Sequence, residues 1–332
     1  MRRREFIAGL LLAGTSSRVQ GQPAKKTYRL AIVTPSTPAA DISETSNWAA
    51  WRAFFDELRR RGYVEGRNLT IQRYSGEGRT EHFYELTRKV VRAKPDVIYA
   101  LTSRLLREFK KATDSIPIVG MSSDPVRGGI VPALARPGGN ITGVSTDAGM
   151  EILGKRLGLL MEAIPNVSRV GFLVSRGMLE APDGAVMQEV AQRRGVALVA
   201  PPLNSFVETE YRRVVAAMVQ EHVDGLIVSD QSEHFTNGRL IGELAEQSRL
   251  PAIYAYREPV EAGGLMAYAI DLLALARHAV EEIDLILKGA MPSDIPYYQA
   301  TKFELVVNVK AAKATGLTLP PALVLRADEV IE

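Results

Sequence analysis

The alternation of short apolar runs with longer amphipathic ones restricts the fold of this chain more than any other feature. "YRLAIVT" (28–34) is short and apolar enough for a buried strand. "NWAAWRAFFDELRRRG" (47–62) follows as a helix ending at Gly62, with Trp48, Trp51, Phe55 and Leu58 on one stripe. The alternation continues through "LTIQRYS" (69–75), "EHFYELTRKVVRA" (81–93), "PDVIYALTS" (95–103), "RLLREFKKAT" (104–113) and "IPIVGMSS" (116–123). Strands separated by helices of this length require crossover connections, which are right-handed and build a parallel sheet.

After Asn140 the plan restarts. "SRVGFLVS" (168–175), "VALVAPPL" (196–203), "VDGLIVSD" (223–230) and "LPAIYAY" (250–256) alternate with the helical stretches "GAVMQEVAQRRG", "TEYRRVVAAMVQEH" and "GRLIGELAEQS". The expected architecture is α/β, with two Rossmann-like lobes built on parallel sheets. One lobe spans 28–144 and the other 145–262, with 263–332 returning as segments shared between them. The returning part offers a long helix, "DLLALARHAVEEIDLILKG", then a strand and short helix in "KFELVVNVKAAKATG". The join "ARPGGNITGVST" (135–146) is rich in Pro and Gly before it turns extended, as a hinge is, and Gly143 is its expected pivot.

The charge balance directs attention to the amino terminus. Arg2, Arg3, Arg4 and Arg18 against the single Glu5 account for the whole formal charge of +3, and the rest of the chain is neutral. A neutral body gives no electrostatic reason to expect nucleic acid or an anionic membrane as partner. "RRR", the short apolar run "FIAGLLLAG" and the small-residue exit "SSRVQGQ" read as a cleaved signal peptide over 1–21, and Arg3-Arg4-Glu5-Phe6-Ile7 fits a twin-arginine export motif. A periplasmic location follows as the expectation. The absence of cysteine rules out disulfides, Cys-based metal sites and a lipid-modified cysteine.

In open α/β sheets ligands bind outside the carboxyl ends of the strands, and nearly every such end here carries a hydroxyl. The first lobe offers Thr34 and Ser36, then Thr102 and Ser103, then Ser123 and Asp124; the second offers Ser175, then Ser229 and Asp230, then Tyr254 and Arg257. Serine and threonine also cap helices, which accounts for many of these positions without a ligand. A cleft lined this way suits a small polar molecule, an amine facing the aspartates and a carboxylate facing hydroxyls, helix N-termini or Arg257.

Catalytic signals are absent by comparison. His82, His222, His234 and His278 show no metal-ligand spacing and read as solvated or core-edge residues, so no metal and no cofactor is expected. No Gly-x-Ser-x-Gly or Gly-x-Gly-x-x-Gly motif occurs. "GMEILGK" (149–155) fits the start of a phosphate loop, but Arg156 replaces the hydroxyl that would hold magnesium, and the stretch reads as a helix start with an exposed lysine.

Three longer stretches carry a family likeness. "DPVRGGIVPALARPGGNITGVS", "PAIYAYREPVEAGGLMAY" and "KFELVVNVKAAKATGLTLPPALVLRADEVIE" resemble the ABC-transporter substrate-binding protein family that includes the tryptophan-binding, TrpX-like proteins. The resemblance covers nearly the whole chain. It implies a type I periplasmic-binding-protein fold, two lobes closing on ligand like a trap, with crossings near Asn140–Ser145, Gly263–Tyr268 and Phe303–Asn308. It further implies a receptor without chemistry of its own, a monomer that captures an amino acid or related carboxylate and hands it to an ABC permease. Asp124 and Ser123 from one jaw and Ser175 and Asp230 from the other are the expected grip. "SDQSEHF" and "AYAID" depart from the family's usual cleft stretches, so the likeness does not carry over which amino acid binds. The rival readings are a sensor receptor of the same fold and, more remotely, an α/β enzyme acting on a small acid.

Overall fold

The computed structural model describes residues 26–146, 151–180 and 182–332. The expected export segment lies outside them. The first lobe contains β1 (Tyr28–Thr34), α1 (Ala49–Arg60), β2 (Leu69–Ser75), α2 (Phe83–Arg92), β3 (Val97–Leu101), α3 (Ser103–Ala112), β4 (Ile118–Ser122) and β5 (Ile141–Ser145). The second contains α4 (Glu151–Ala163), β6 (Arg169–Leu173), α5 (Arg176–Leu179), α6 (Pro182–Arg193), β7 (Ala197–Val199), α7 (Glu208–Gln220) and β8 (Gly225–Val228). It continues with α8 (Ser232–Thr236), α9 (Gly238–Gln247), β9 (Ala252–Tyr254), α10 (Glu258–Glu261) and β10 (Met266–Ile270). The tail supplies α11 (Leu272–Leu287), β11 (Tyr298–Gln299), β12 (Phe303–Asn308), α12 (Val309–Ala314), α13 (Pro321–Leu325) and β13 (Glu329–Ile331).

The strand orders explain where a ligand can go. The first sheet runs β2-β1-β3-β4-β5 with β11 at its edge, and the second runs β7-β6-β8-β9-β10 followed by β12 and β13. Both follow the doubly wound pattern in which order reverses beside the first strand, so each sheet has a switch point, between β1 and β3 and between β6 and β8. The second sheet departs from the expected all-parallel arrangement at one pair: β12 runs antiparallel to β10. The reason is geometric, since β10 runs out towards the first lobe and β12 comes back from it.

The chain passes between the two sheets after β5, between β10 and α11, and between β11 and β12. The segments expected to be the crossings are therefore largely the strands β5, β10 and β12 themselves, and the passage lies at their ends. Gly143 is no pivot. It sits mid-strand in register with Gly120 at a φ of 153°, and a Cβ on it would meet the Gly120 carbonyl oxygen at 1.9 Å.

The long tail helix α11 belongs to the first lobe, where Leu275, Ala279, Val280 and Ile283 share a core with Trp51, Phe54 and Tyr99. Phe54 stacks on Tyr99 with ring centroids 4.8 Å apart, and Trp51 meets both rings edge-on. Polar bonds fasten α11 to α1: the Arg61 guanidinium spans Glu57, Glu281 and Asp284, and the Tyr63 hydroxyl donates to Asp284 at 2.9 Å. Burial alone would raise the Asp284 pKa, but bonds from Lys288, Tyr63 and Arg61 outweigh it and hold the group below the usual range.

Glu282, one helix face away, has no such ion-pair partners among the described residues. Its side chain is buried, one oxygen makes no hydrogen bond, and burial pushes its carboxyl up to about 9. The folded state keeps this proton while the unfolded chain releases it, so the contribution is complete below about pH 4.5 and is lost as pH rises towards 9. Between pH 5 and 8 the Glu282→Gln variant should gain roughly 2–4 kcal/mol relative to the native chain. Urea denaturation at the two pH values checks this. A second expectation concerns the glycines: Gly143→Ala should cost about 2–4 kcal/mol through backbone collision. Gly195→Ala, at a φ of 71° with nothing within 4 Å, should cost about 1 kcal/mol by the same denaturation measurement.

Candidate functional site

The carboxyl edges of the two sheets face each other across the gap between the lobes. Ser36, beyond β1, lies 3.1 Å from the Thr236 hydroxyl in α8. The Trp48 indole N–H donates to the Glu258 carboxylate of α10 at 3.0 Å, and its ring packs 5.2 Å from Phe235, which in turn meets Tyr256 at 5.1 Å. Trp48, expected on the buried stripe of α1, packs edge-on against Trp51 but is only partly buried, and its other side reaches across to the other lobe, while Phe54 joins Trp51 in the core. An open concavity of about 560 Å³, lined in part by Lys26, Asp96, Asn140 and Met291, lies at the opposite, amino-terminal ends of the first sheet. The switch points are the better location, because there strand ends and helix starts converge.

Several expected residues prove to be committed within the protein. The Thr34 hydroxyl is wholly buried and donates to the Thr37 carbonyl at 2.9 Å. One Asp124 oxygen accepts the backbone N–H groups of Val126 and Arg127 at 2.9 and 2.8 Å, and the other pairs with the Arg127 guanidinium at 3.3 Å. That carboxylate closes its own turn. Ser175 caps α5, and Gln231 ties the two strand ends of the second lobe together, donating to the Ser175 hydroxyl at 2.8 Å and accepting from Ser229 at 3.3 Å. Tyr254 packs in the second-lobe core, with its ring 2.6 Å from where a Gly264 Cβ would stand, so it is held by packing although its buried hydroxyl has no partner among the described residues. Arg257 reaches Glu261, Glu304 and Glu329, and these bonds overcome burial to raise its pKa. With all its charge met, its geometry is that of a structural clasp.

Other groups at the gap are less fully committed. Thr102, between β3 and α3, has φ 86° and ψ 142°, a region almost reserved for glycine, and its buried hydroxyl has no partner among the described residues. Its backbone N–H is held by the Met121 carbonyl at 2.7 Å, which fixes the strained conformation. Ser103 and Ser123 lie alongside, their hydroxyls 3.3 Å apart. In the second lobe the Asp230 carbonyl accepts from the Tyr256 hydroxyl at 2.6 Å, and its half-buried carboxylate bonds to no group among the described residues.

Sequence reasoning missed Arg156. It lies in the second turn of α4, among Ile152, Leu153, Leu157 and Leu160, and is fully buried. Its Nε donates to the Tyr268 carbonyl of β10 at 3.2 Å, while both terminal nitrogens lack partners among the described residues. Burial lowers its pKa, and nearby Asp230 opposes that without forming an ion pair. An arginine on an amphipathic helix ordinarily faces solvent, as Lys155 does here. Only the apolar residues on both sides of it hinted otherwise.

His234 also corrects the expectation of a solvated or core-edge ring. It is 2% exposed, bonds the Tyr211 hydroxyl at 2.9 Å and is kept neutral, since burial lowers its pKa to about 3. No cluster of metal-ligating side chains occurs among the described residues, and no helix there is long and apolar enough to cross a membrane.

Comparison with known proteins now places this architecture. Residues 39–331 match the family model described as ABC transporter substrate binding protein. The chain belongs to that family. It is a solute-binding protein and not an enzyme. A tyrosine-binding protein of Clostridioides difficile is 24% identical over 270 residues, covering 81% of this chain and 76% of that one. Among solved structures, a conserved domain protein from Vibrio cholerae superposes with a TM-score of 0.82 at 24% identity, covering 92% of this chain and all of its own. An ABC domain from Streptococcus pneumonia in complex with L-Trp gives 0.79 at 23% identity over 92% of this chain and all of its own.

In this substrate-binding protein Thr102 combines strain with an orphaned hydroxyl at the first switch point. Thr102→Gly should raise the stability of the ligand-free protein by about 1–2 kcal/mol while weakening ligand binding. Thermal melts and calorimetry measure the two effects separately.

Proposed function

We propose that this chain is an exported receptor that takes an amino acid or related carboxylate into the interlobe cleft and delivers it to the permease of an ABC importer. The observation that carries the reading is the state of the facing strand ends. A strained Thr102 with an unpartnered hydroxyl, the mutually bonded hydroxyls of Ser103 and Ser123 and the carboxylate of Asp230, unpaired among the described residues, lie at the facing strand ends, whereas Thr34, Asp124 and Arg257 are satisfied within the protein. Unsatisfied polar groups cost free energy in the empty protein and regain it when a ligand supplies partners. Asp230 is placed to take an ammonium group. The tyrosine-binding relative and the L-Trp complex support an amino acid as the class of ligand. Monomeric action suits the design, because one chain supplies both jaws.

A ligand that touches both jaws binds the closed form better and shifts the population towards it. Small-angle scattering should show a smaller radius of gyration when the bound amino acid is added. Stability should rise by about 2.7 kcal/mol at roughly a hundredfold excess over Kd. The two tryptophans make closure visible in fluorescence. Trp51 is sealed in the first-lobe core and Trp48 lies at the interlobe contact, so ligand should change the emission of a Trp51→Phe variant but leave that of Trp48→Phe nearly constant. Stabilisation without compaction and without a Trp48 signal would place the ligand within one lobe.

A further inference from the structure

We propose that Arg156 is the anion anchor of the cleft, its guanidinium fork receiving the carboxylate of the ligand, so that the protein selects zwitterionic or anionic solutes over neutral ones. The inference deepens the receptor reading and rests on it. Arginine stays protonated in proteins, and a buried guanidinium without a counter-ion is strongly destabilising. Arg156 is 0% exposed, yet among the described residues only its Nε has a partner, the Tyr268 carbonyl at 3.2 Å. That bond fixes the plane of the group and leaves Nη1 and Nη2 as an unused pair of donors, the arrangement that receives a carboxylate through two parallel bonds. The group is buried beside the apolar residues of α4, yet polar groups of three successive strands of the second sheet act on it. Asp230, beyond β8, Tyr256, beyond β9, and Tyr268, on β10, are the groups that act on its charge.

Asp230 does not neutralise it. The two side chains form no ion pair among the described residues, although Asp230 is the foremost charged group acting on Arg156. A positive and a negative group held close but unjoined complement a molecule with the reverse pattern: a carboxylate on Arg156 and an ammonium on Asp230. Both groups belong to the second lobe, so this lobe seats the head of the ligand. Thr102, Ser103 and Ser123 of the first lobe then close over the remainder.

The test uses the full chain, refolded free of ligand, with L-tyrosine, L-tryptophan and the other natural amino acids as calorimetric probes. Tyramine and tryptamine, which lack only the carboxylate, serve as the matched controls. The native protein should bind at least one amino acid and bind its amine analogue at least about a hundredfold more weakly. Arg156→Gln and Arg156→Met should each lose about a hundredfold in affinity or more while keeping the native far-ultraviolet spectrum. Binding by Arg156→Gln within about threefold of native, or equal affinity for the amine analogue, overturns the anchor and leaves the amino-acid receptor standing. Failure of every amino acid to bind the native protein counts against the receptor reading, and melting of the unliganded proteins then decides on Arg156. A guanidinium held in reserve for an anion makes Arg156→Met melt higher than native, because an apolar side chain suits the site better when it is empty. A lower melting temperature shows the guanidinium to be structural and overturns the proposal.

Discussion

All strands of a parallel sheet point the same way, so every carboxyl end gathers at one edge of each lobe. The helices that return the chain begin at that edge too, with their first N–H groups unpaired. Each sheet of this protein therefore has one edge that is polar by construction, and three passages of the chain set the two edges opposite each other. The cleft is less an addition to the fold than its inevitable seam. What distinguishes one such protein from another is which polar groups at the seam are satisfied internally and which are left for a ligand.

Here the division is sharp. Gln231 joins Ser175 to Ser229, Asp124 closes its own turn, and Arg257 is surrounded by three glutamates. These residues shape the rim. Thr102, Asp230 and Arg156 are left with strain, charge or donors that nothing among the described residues relieves. Trp48 meets Phe235 and Glu258 across the gap between the lobes, and Phe235 in turn packs on Tyr256.

The element order was legible because it depends on period and composition alone. "YRLAIVT", "PDVIYALTS" and "VDGLIVSD" could hardly be anything but buried strands, and the helices between them fixed a parallel arrangement. Side-chain commitments were not legible, because they depend on partners far away in the chain. Arg257 looks like a ligand group until Glu304 and Glu329 arrive beside it, and Asp124 looks free until its own turn is formed. Arg156 was hidden for the opposite reason. A charge on an amphipathic helix is read as solvent-facing, and only the rotation of α4 on its sheet shows otherwise. Gly143 looked like a pivot because Pro and Gly precede it, yet its missing side chain serves close contact with Gly120.

The partnership of α1 with α11 has a consequence for how the chain comes to be folded. Arg61 and Asp284 are 223 residues apart, and the aromatic face of α1 is covered only when α11 lies across it. A chain emerging from its amino end must carry that face uncovered until most of its length has been made. Contacts of such long range are slow to form, because the intervening chain must first be ordered. The first lobe to be synthesised is thus among the last parts to be finished, and the tail acts as the lock on a door built much earlier. A nascent chain of this kind stays pliable and dependent on chaperones for longer than one whose domains close in sequence.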